Sequence, residues 1–555
     1  MKKFFGIFII LLLAAACGKE GGESGGNENN NTIPKDWTIT GTVKGNDGKV
    51  LQDVVVSDGL NCFKTGEDGK FYLAADLAST EYVIVSTPSE YSAPVKDGHA
   101  IFWKALKDCI KGSDGKYSVD FTLEKISTPE RYTVFIFGDP QPRSSSAGLD
   151  KVGYSSLDCC TDMYRDMKEY AATLKGRKVY GIGLGDIVHQ NLSLLTQYKK
   201  GMATTGITTY NVIGNHDQAH VLEQSDEEAS KGFEAQMGPV NYSFNLGGMH
   251  YLMLDNMIAP GPGSGKYSDE CITGITDKIW QWIQNDLALV PTTTPLMVCA
   301  HSPMMRTQGG SDRSGQHLGD LRNLLSKYPK AYVWAGHTHA TFNYVNTANP
   351  VIESHTLTRV TGALWINEYQ GSNGTPRGYV VFDYDNGNVS WKFKPTYYQT
   401  AQYIGTYGNP TSGKQPDYTW RDWDYVDGRA VLKSTGKPLD DTYQMQLFAP
   451  GTYDEAGYLY ANIFLWDELW KTPVFTMNGE PSVMKRVTEK DFKYSYSNWD
   501  LYTFYNKNKS IGSEFNPDKN NNDSMFRVFV GEAHGSGTVS VKDRFGNTYT
   551  SSITW

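Results

Sequence analysis

Five short polar segments, each led by glycine or alanine and each following an apolar run, constrain this chain more than any other feature. They are Gly138-Asp139-Pro140-Gln141, Gly185-Asp186-Ile187-Val188-His189, Gly214-Asn215-His216-Asp217, Ala300-His301-Ser302-Pro303 and Gly336-His337-Thr338-His339. The runs before them read as strands: Tyr132–Phe137, Val179–Leu184, Thr208–Ile213, Met297–Ala300 and Tyr332–Trp334. Tyr132–Phe137 is almost continuously apolar, as expected of a strand covered on both faces. Leu157–Leu174 has helical spacing without Gly or Pro, Leu318–Tyr328 reads as a second helix, and Val240–Asp255 as a hairpin. Strands alternating with helices predict a layered α/β domain over residues 130–395. Polar loops at the carboxyl ends of its strands lie where such sheets gather their sites.

The residue types point to one chemistry. Carboxylates, imidazoles and an amide oxygen together can hold two divalent cations without accumulating excess negative charge. Such a pair generates a nucleophile from water at neutral pH and clamps the oxygens of an ester. Taken singly the segments say little. A Gly-Asp is commonly a turn, Gly-Asn-His-Asp can cap a helix, and alternating histidines can mark a strand edge. All five in this order, each after an apolar strand, are hard to obtain by accident.

The chain has 555 residues, too many for one hydrophobic core, so further domains are expected on either side. Residues 35–127 read as a β-sandwich: Thr38–Val43 alternates, and turns at Gly45–Gly48 and Glu67–Gly69 separate short strands. Residues 396–555 return to short alternating strands, among them Tyr443–Leu447, Tyr458–Trp466, Phe526–Val530 and Tyr549–Trp555, and form a C-terminal β-rich domain. The net charge of −9 argues against nonspecific nucleic-acid binding, which needs Lys and Arg to displace counterions. At the N-terminus Lys2 and Lys3 precede the apolar run Phe4–Ala16. That run is too short to span a bilayer and has the form of a secretory signal. Residues 18–34 are Gly-, Asn- and Glu-rich and read as a flexible tether. Besides Cys17 there are six cysteines without a CxxC pair, so a thiolate metal site is not expected, and buried free thiols are.

Three resemblances sharpen these readings. Cys17 after Ala14-Ala15-Ala16 resembles the lipobox of bacterial lipoproteins, although Leu13 stands one place early. This implies residues 1–17 as a signal peptide with lipidation at Cys17, and a protein held in the outer membrane, periplasmic or surface-facing, by its lipid alone. The N-terminal pattern resembles transthyretin-like modules. The five segments resemble the motifs of the calcineurin-like metallophosphoesterases, in the three-domain form found among Bacteroidetes lipoproteins. Asp543-Arg544-Phe545-Gly546 and Asn373–Tyr379 fit that form. The fold so implied is a central four-layer α/β metallophosphoesterase β-sandwich between the two β-modules. The resemblance implies Asp139, Gln141 and His339 as ligands of one metal, and Asn215, His301 and His337 as ligands of the other, with Asp186 bridging. It makes His216 the residue that assists the leaving group, with Asp217 orienting it. Gln141 stands where the family usually has histidine; its harder oxygen favours Mn, Mg or Fe over Zn. The implied activity is hydrolysis of a phosphoester by a metal-bridged hydroxide, on a phosphorylated small molecule or a cell-envelope or glycan phosphoester outside the cytoplasm.

Substrate contacts are less constrained. Arg306 and Arg313 flank a Gly/Ser-rich loop that either closes over a phosphate or is simply solvated. His189 and His317 are further donors, and Trp365 either lines the pocket or sits in the core. Monoesterase and diesterase chemistry are not separated, nor is the oligomeric state. Two other readings stand beside hydrolysis of a small phosphoester: a non-catalytic surface protein binding glycan or polymer on this scaffold, and a protein Ser/Thr phosphatase.

Overall fold

The computed structural model describes residues 32–127, 130–143, 155–219, 224–307, 309–362, 370, 371, 373–396, 398, 422–452, 457–487, 523–531 and 534–555. Cys17, the signal segment, most of the tether and Trp365 lie outside these residues.

Two facing sheets form the centre. In the first, Arg131–Phe137, Lys178–Leu184 and Thr208–Val212 run parallel, and Gly378–Asp385 and Asn388–Pro395 extend it antiparallel. In the second, Met249–Leu254, Leu296–Ala300, Ala331–Ala335 and Ile352–Thr356 are parallel, edged by Tyr242–Leu246 and Phe342–Val345. Alternation along each strand explains why both faces are apolar. Tyr132, Val134 and Ile136 point between the sheets and join Tyr251, Met253, Met297, Cys299 and Trp334 in one core. Phe135 and Phe137 point outward onto Met163, Met167, Tyr198 and Met202 of the helices Ser156–Thr173 and Leu195–Thr205. On the other side Leu252, Leu254 and Val298 meet Trp282, Ile283, Leu318 and Leu321 of the helices Asp277–Leu287 and Leu318–Leu325. Each such side chain contributes about 1.5–3 kcal/mol by leaving water. The result is the expected four-layer sandwich, and it aligns the carboxyl ends of Phe137, Leu184 and Val212 in one sheet with those of Ala300 and Ala335 in the other.

The N-terminal module shares more with the core than a linker. It has its own two sheets, built on Ile39–Gly45 and Val55–Ser57. Its strands His99–Ala100 and Val95–Lys96, however, continue the first central sheet, with His99 paired in parallel with Thr209. Residues 35–127 thus complete a sheet edge that would otherwise stay open to solvent. Among the described residues no helix is long and apolar enough to cross a membrane, and the six described cysteines are free thiols.

Among the described residues the C-terminal domain shows a hairpin, Trp423–Leu432, and two four-stranded sheets. It docks on the second central sheet through Arg544. This guanidinium holds the fully buried Glu353 bidentately, at 2.6 Å to each oxygen, and reaches Asp467 at 3.2 Å. Phe545 packs edge-on against Trp391, 4.7 Å between ring centres. Lys330 and His355 also face Glu353.

Burial alone would raise the Glu353 carboxyl, but His355 and Arg544 outweigh it and hold the group well below its ordinary 4.5. A depressed acid contributes stability that is complete above its unfolded value and is lost as pH falls toward the folded one. The first unfolding midpoint should therefore drop as the pH is lowered below about 4.5. Replacing Arg544 by Met leaves Glu353 buried with Lys330 as its one strong cation and should cost about 3 kcal/mol at neutral pH. The same substitution should flatten the acid dependence. Denaturant titrations of both proteins at several pH values check this; an unchanged midpoint for Arg544→Met would show that the docking pair carries no stability.

Candidate metal centre

The five loops converge. Asp139, Gln141, Asp186 and His301 are at most 1% exposed, Asn215 3% and His339 9%. They divide into two groups that share Asp186. One oxygen, Oδ2, accepts from Gln141 Nε2 at 3.1 Å; the other, Oδ1, lies 3.2 Å from His301 Nε2. On the first side His339 Nε2 stands 3.5 Å from Asp139 Oδ1. On the second, His337 Nδ1 is 3.1 Å from Asn215 Oδ1 and 3.2 Å from His301 Nε2. Ligand atoms of Asp139, Asp186 and His339 lie within 4.8 Å of one another.

The backbone is bent to achieve this. Asp139, Gln141, Asp186, His337 and His339 all have φ between 41° and 68°, the left-handed region that side chains with a Cβ avoid. Each costs of order 1–3 kcal/mol, and strain of this kind persists where surrounding structure enforces it. The enforcing contacts are visible. His337 N donates to both Asp139 oxygens at 3.0 Å, and His301 Nδ1 donates to the Leu184 carbonyl at 2.7 Å, which turns Nε2 toward Asp186. Gln141 N donates to the Asp186 carbonyl at 2.9 Å. Two glycines give the carboxylates room. A Cβ on Gly214 would lie 2.2 Å from Asp186 Oδ1, and one on Gly336 2.2 Å from Asp139 Oδ2.

The electrostatics call for positive charge. Two carboxylates are buried side by side, and among the described residues no Lys or Arg forms an ion pair with either; their charged neighbours are histidines. Burial opposes a charged His301, yet Asp186 and then Asp139 lift its pKa to about 10. Burial raises Asp186, but His301 and His216 prevail and hold it far below the ordinary carboxylate range. His337 is pushed down to about 3 by burial and then by His301. His339 is lowered chiefly by burial. Buried carboxylates of this kind require a partner cation. Oxygen and imidazole donors without thiolate suit Mn, Mg, Fe or Zn, so the donor set fits divalent metals.

Of the other residues singled out in the sequence, His189 and His216 belong to the site. Their rings lie 4.5 Å apart, and His216 N donates to Asp186 Oδ1 at 2.9 Å. Asp217 plays a different part from the one expected. It does not orient His216: its two oxygens accept the backbone N–H groups of Ile187, Val188 and Gly214 at 2.9–3.0 Å, tying the second and third loops together. Arg306, Arg313 and His317 are likewise engaged elsewhere. Arg306 pairs with Asp312 across its own loop, and Arg313 donates to Thr273 Oγ1 at 2.8 Å. His317 is held between Asp320 and Asp277 at 2.9 and 2.8 Å and stacks on Trp280. No candidate metal ligand is among these partners.

Two residues that the motifs did not announce hold the loops. Arg359, fully buried, donates from Nη2 to the Gln141 carbonyl at 3.1 Å and from Nε to that of Asp139 at 3.4 Å. Asn256 clasps the Ser302 backbone, Nδ2 to carbonyl at 2.7 Å and N–H to Oδ1 at 3.0 Å. Asn256 follows an apolar strand as the five segments do, so the same signal was available. Arg359 carried none.

Comparison with known proteins is consistent along the chain. Residues 37–126 match the N terminal of Calcineurin-like phosphoesterase, 132–341 the Calcineurin-like phosphoesterase domain, and 355–549 its C terminal. No curated protein matches. Solved structures to which the chain shows some likeness include purple acid phosphatase PPD1 from yellow lupin (Lupinus luteus), at 17% identity and TM-score 0.33 over 50% of this chain and 54% of that one. NAD nucleotidase from Haemophilus influenzae is 12% identical with TM-score 0.26, covering 47% and 49%. The 5'-nucleotidase from Candida albicans is 11% identical with TM-score 0.29, covering 48% and 52%. The chain spans about half the length of each.

The packing of Gly336 against Asp139 can be tested without catalysis. Gly336→Ala should displace the carboxylate and weaken binding of Mn(II) by roughly 10–100-fold, the usual range for a lost support of a ligand, with the secondary structure intact. Calorimetric titration and circular dichroism check both halves; wild-type affinity in Gly336→Ala would remove Asp139 from the ligand set.

Proposed function

We propose that this protein, a calcineurin-like phosphoesterase of the three-domain type, hydrolyses a phosphate ester at two divalent metals held by Asp139, Gln141, Asp186, Asn215, His301, His337 and His339. The observation that carries this reading is the shared carboxylate: Asp186 turns one oxygen to the Gln141 side and the other to the His301 side, as a bridging ligand must. Bound there, the cations supply charge neutralisation at the phosphoryl oxygens and acidify water to a usable nucleophile.

The chain's own residues do the rest. Asp139 with His339 and Gln141 holds one cation, and Asn215 with His301 and His337 the other. Gln141 presents its amide to the first group; turned over, that amide offers oxygen where imidazole would offer nitrogen, which favours Mn, Mg or Fe. Asp217, Arg359 and Asn256 keep the loops from relaxing out of their strained backbone geometry. His216 stands over the shared carboxylate, Nε2 4.0 Å from Asp186 Oδ2, with its side chain 14% exposed. From there it faces an ester entering from solvent and is placed to donate to the leaving oxygen.

We place the substrate outside the cytoplasm, on the strength of the signal-like segment Lys2–Cys17, and take it to be a phosphorylated small molecule or envelope phosphoester. The experiment is a screen of mono- and diesters with the purified protein and defined metals. Turnover with Mn(II), lost on chelation and restored by metal, is expected. Asp186→Asn should lower kcat/KM by roughly a thousandfold, about 4 kcal/mol of transition-state stabilisation, and reduce bound metal. Near-normal activity in Asp186→Asn, or a metal-replete protein without turnover on any ester, would overturn the proposal.

A further inference from the structure

Asp217 is committed to the backbone, and other neighbours meet the His216 ring. The structure places Gln190 there. Gln190 N donates to the His216 carbonyl at 2.9 Å, and Gln190 Nε2 lies 3.5 Å from His216 Nδ1. The residue is itself held in a left-handed conformation, φ 57°, immediately after the loop that carries Asp186 and His189. Backbone and side chain of one residue thus grip both ends of another.

We propose that Gln190 is the positioning residue for His216 and that it fixes the tautomer of its ring. With Nε2 turned to the ring, the amide presents N–H donors, so the imidazole nitrogen facing it accepts and carries no proton. A ring that accepts at Nδ1 carries its proton on Nε2, the nitrogen on the Asp186 side. His189, whose ring lies 4.5 Å from that of His216, closes the far flank. This inference rests on the hydrolytic reading above and specifies it. As the O–P bond to the attacking water forms, that water gives up a proton to solvent. The bond to the leaving oxygen breaks with its electron pair staying on that oxygen, which receives the Nε2–H hydrogen bond and takes a proton from solvent. Such help matters most when the leaving group is a poor one, so Gln190 selects for alkyl over activated aryl esters.

The test compares 4-nitrophenyl and alkyl esters, of the mono- or diester class that the wild type turns over, using the full chain with Mn(II). Gln190→Leu should lower kcat for the alkyl ester roughly ten- to a hundredfold while kcat for the aryl ester, KM and metal content change little. In a His216→Ala background the same substitution should have no further effect, because a residue that acts through His216 cannot act without it. Equal losses for both esters, or losses that add in the double variant, would overturn the proposal and leave Gln190 a structural residue. Nitrogen-15 spectra of labelled histidines give an answer independent of turnover. The resonance that His216→Ala removes should show the Nε2–H pattern in the wild type and lose it in Gln190→Leu; an Nδ1–H pattern in the wild type would refute the assignment. If the wild type hydrolyses neither ester, the hydrolytic reading fails, and the spectra still decide the tautomer.

Discussion

Two carboxylates, Asp139 and Asp186, buried together without a Lys or Arg ion pair among the described residues, are the constraint around which this structure is organised. Burying charge in this way is expensive unless a cation enters, and several otherwise costly features are consistent with that demand. Five candidate ligand residues sit at positive φ, the carboxylates fill the space that a Cβ on Gly214 or Gly336 would need, and Asp217 and Arg359 serve as braces. A site of this kind is specified by many weak enforcements rather than by its ligands alone.

The two sheets explain why five remote segments can meet. Parallel strands that share one direction deliver their carboxyl ends to one edge, and the apolar faces on both sides of each sheet lock their registers. The flanking modules are built into this frame. The N-terminal module contributes two short strands to the first sheet, and the C-terminal domain sets Arg544 on the buried Glu353 of the second. Both are therefore parts of the scaffold's stability, whatever else their surfaces do.

Much of this was legible in the sequence, for physical reasons. Strands buried on two faces must be written as apolar runs, and the candidate ligands at their ends are Asp, Asn, Gln and His; both facts are local. The helix expected at Leu157–Leu174 is found at Ser156–Thr173. What stayed hidden depends on contacts between distant segments. Whether Asp217 faces His216 or three backbone N–H groups is decided by how two loops pack, and Arg359 looks like any arginine until the Asp139 loop folds over it. The partners of Arg306, Arg313 and His317, which are Asp312, Thr273, Asp277 and Asp320, follow likewise from how their loops pack. The sharing of a sheet between the N-terminal module and the core was invisible because His99–Ala100 is only two residues long.

Anomalous scattering from crystals grown with Mn(II) would test the central claim most directly. The account predicts two manganese peaks, one beside Asp139 and His339 and one beside Asn215, His301 and His337, with Asp186 between them. A single peak, or peaks that Asp186 does not bridge, would contradict it.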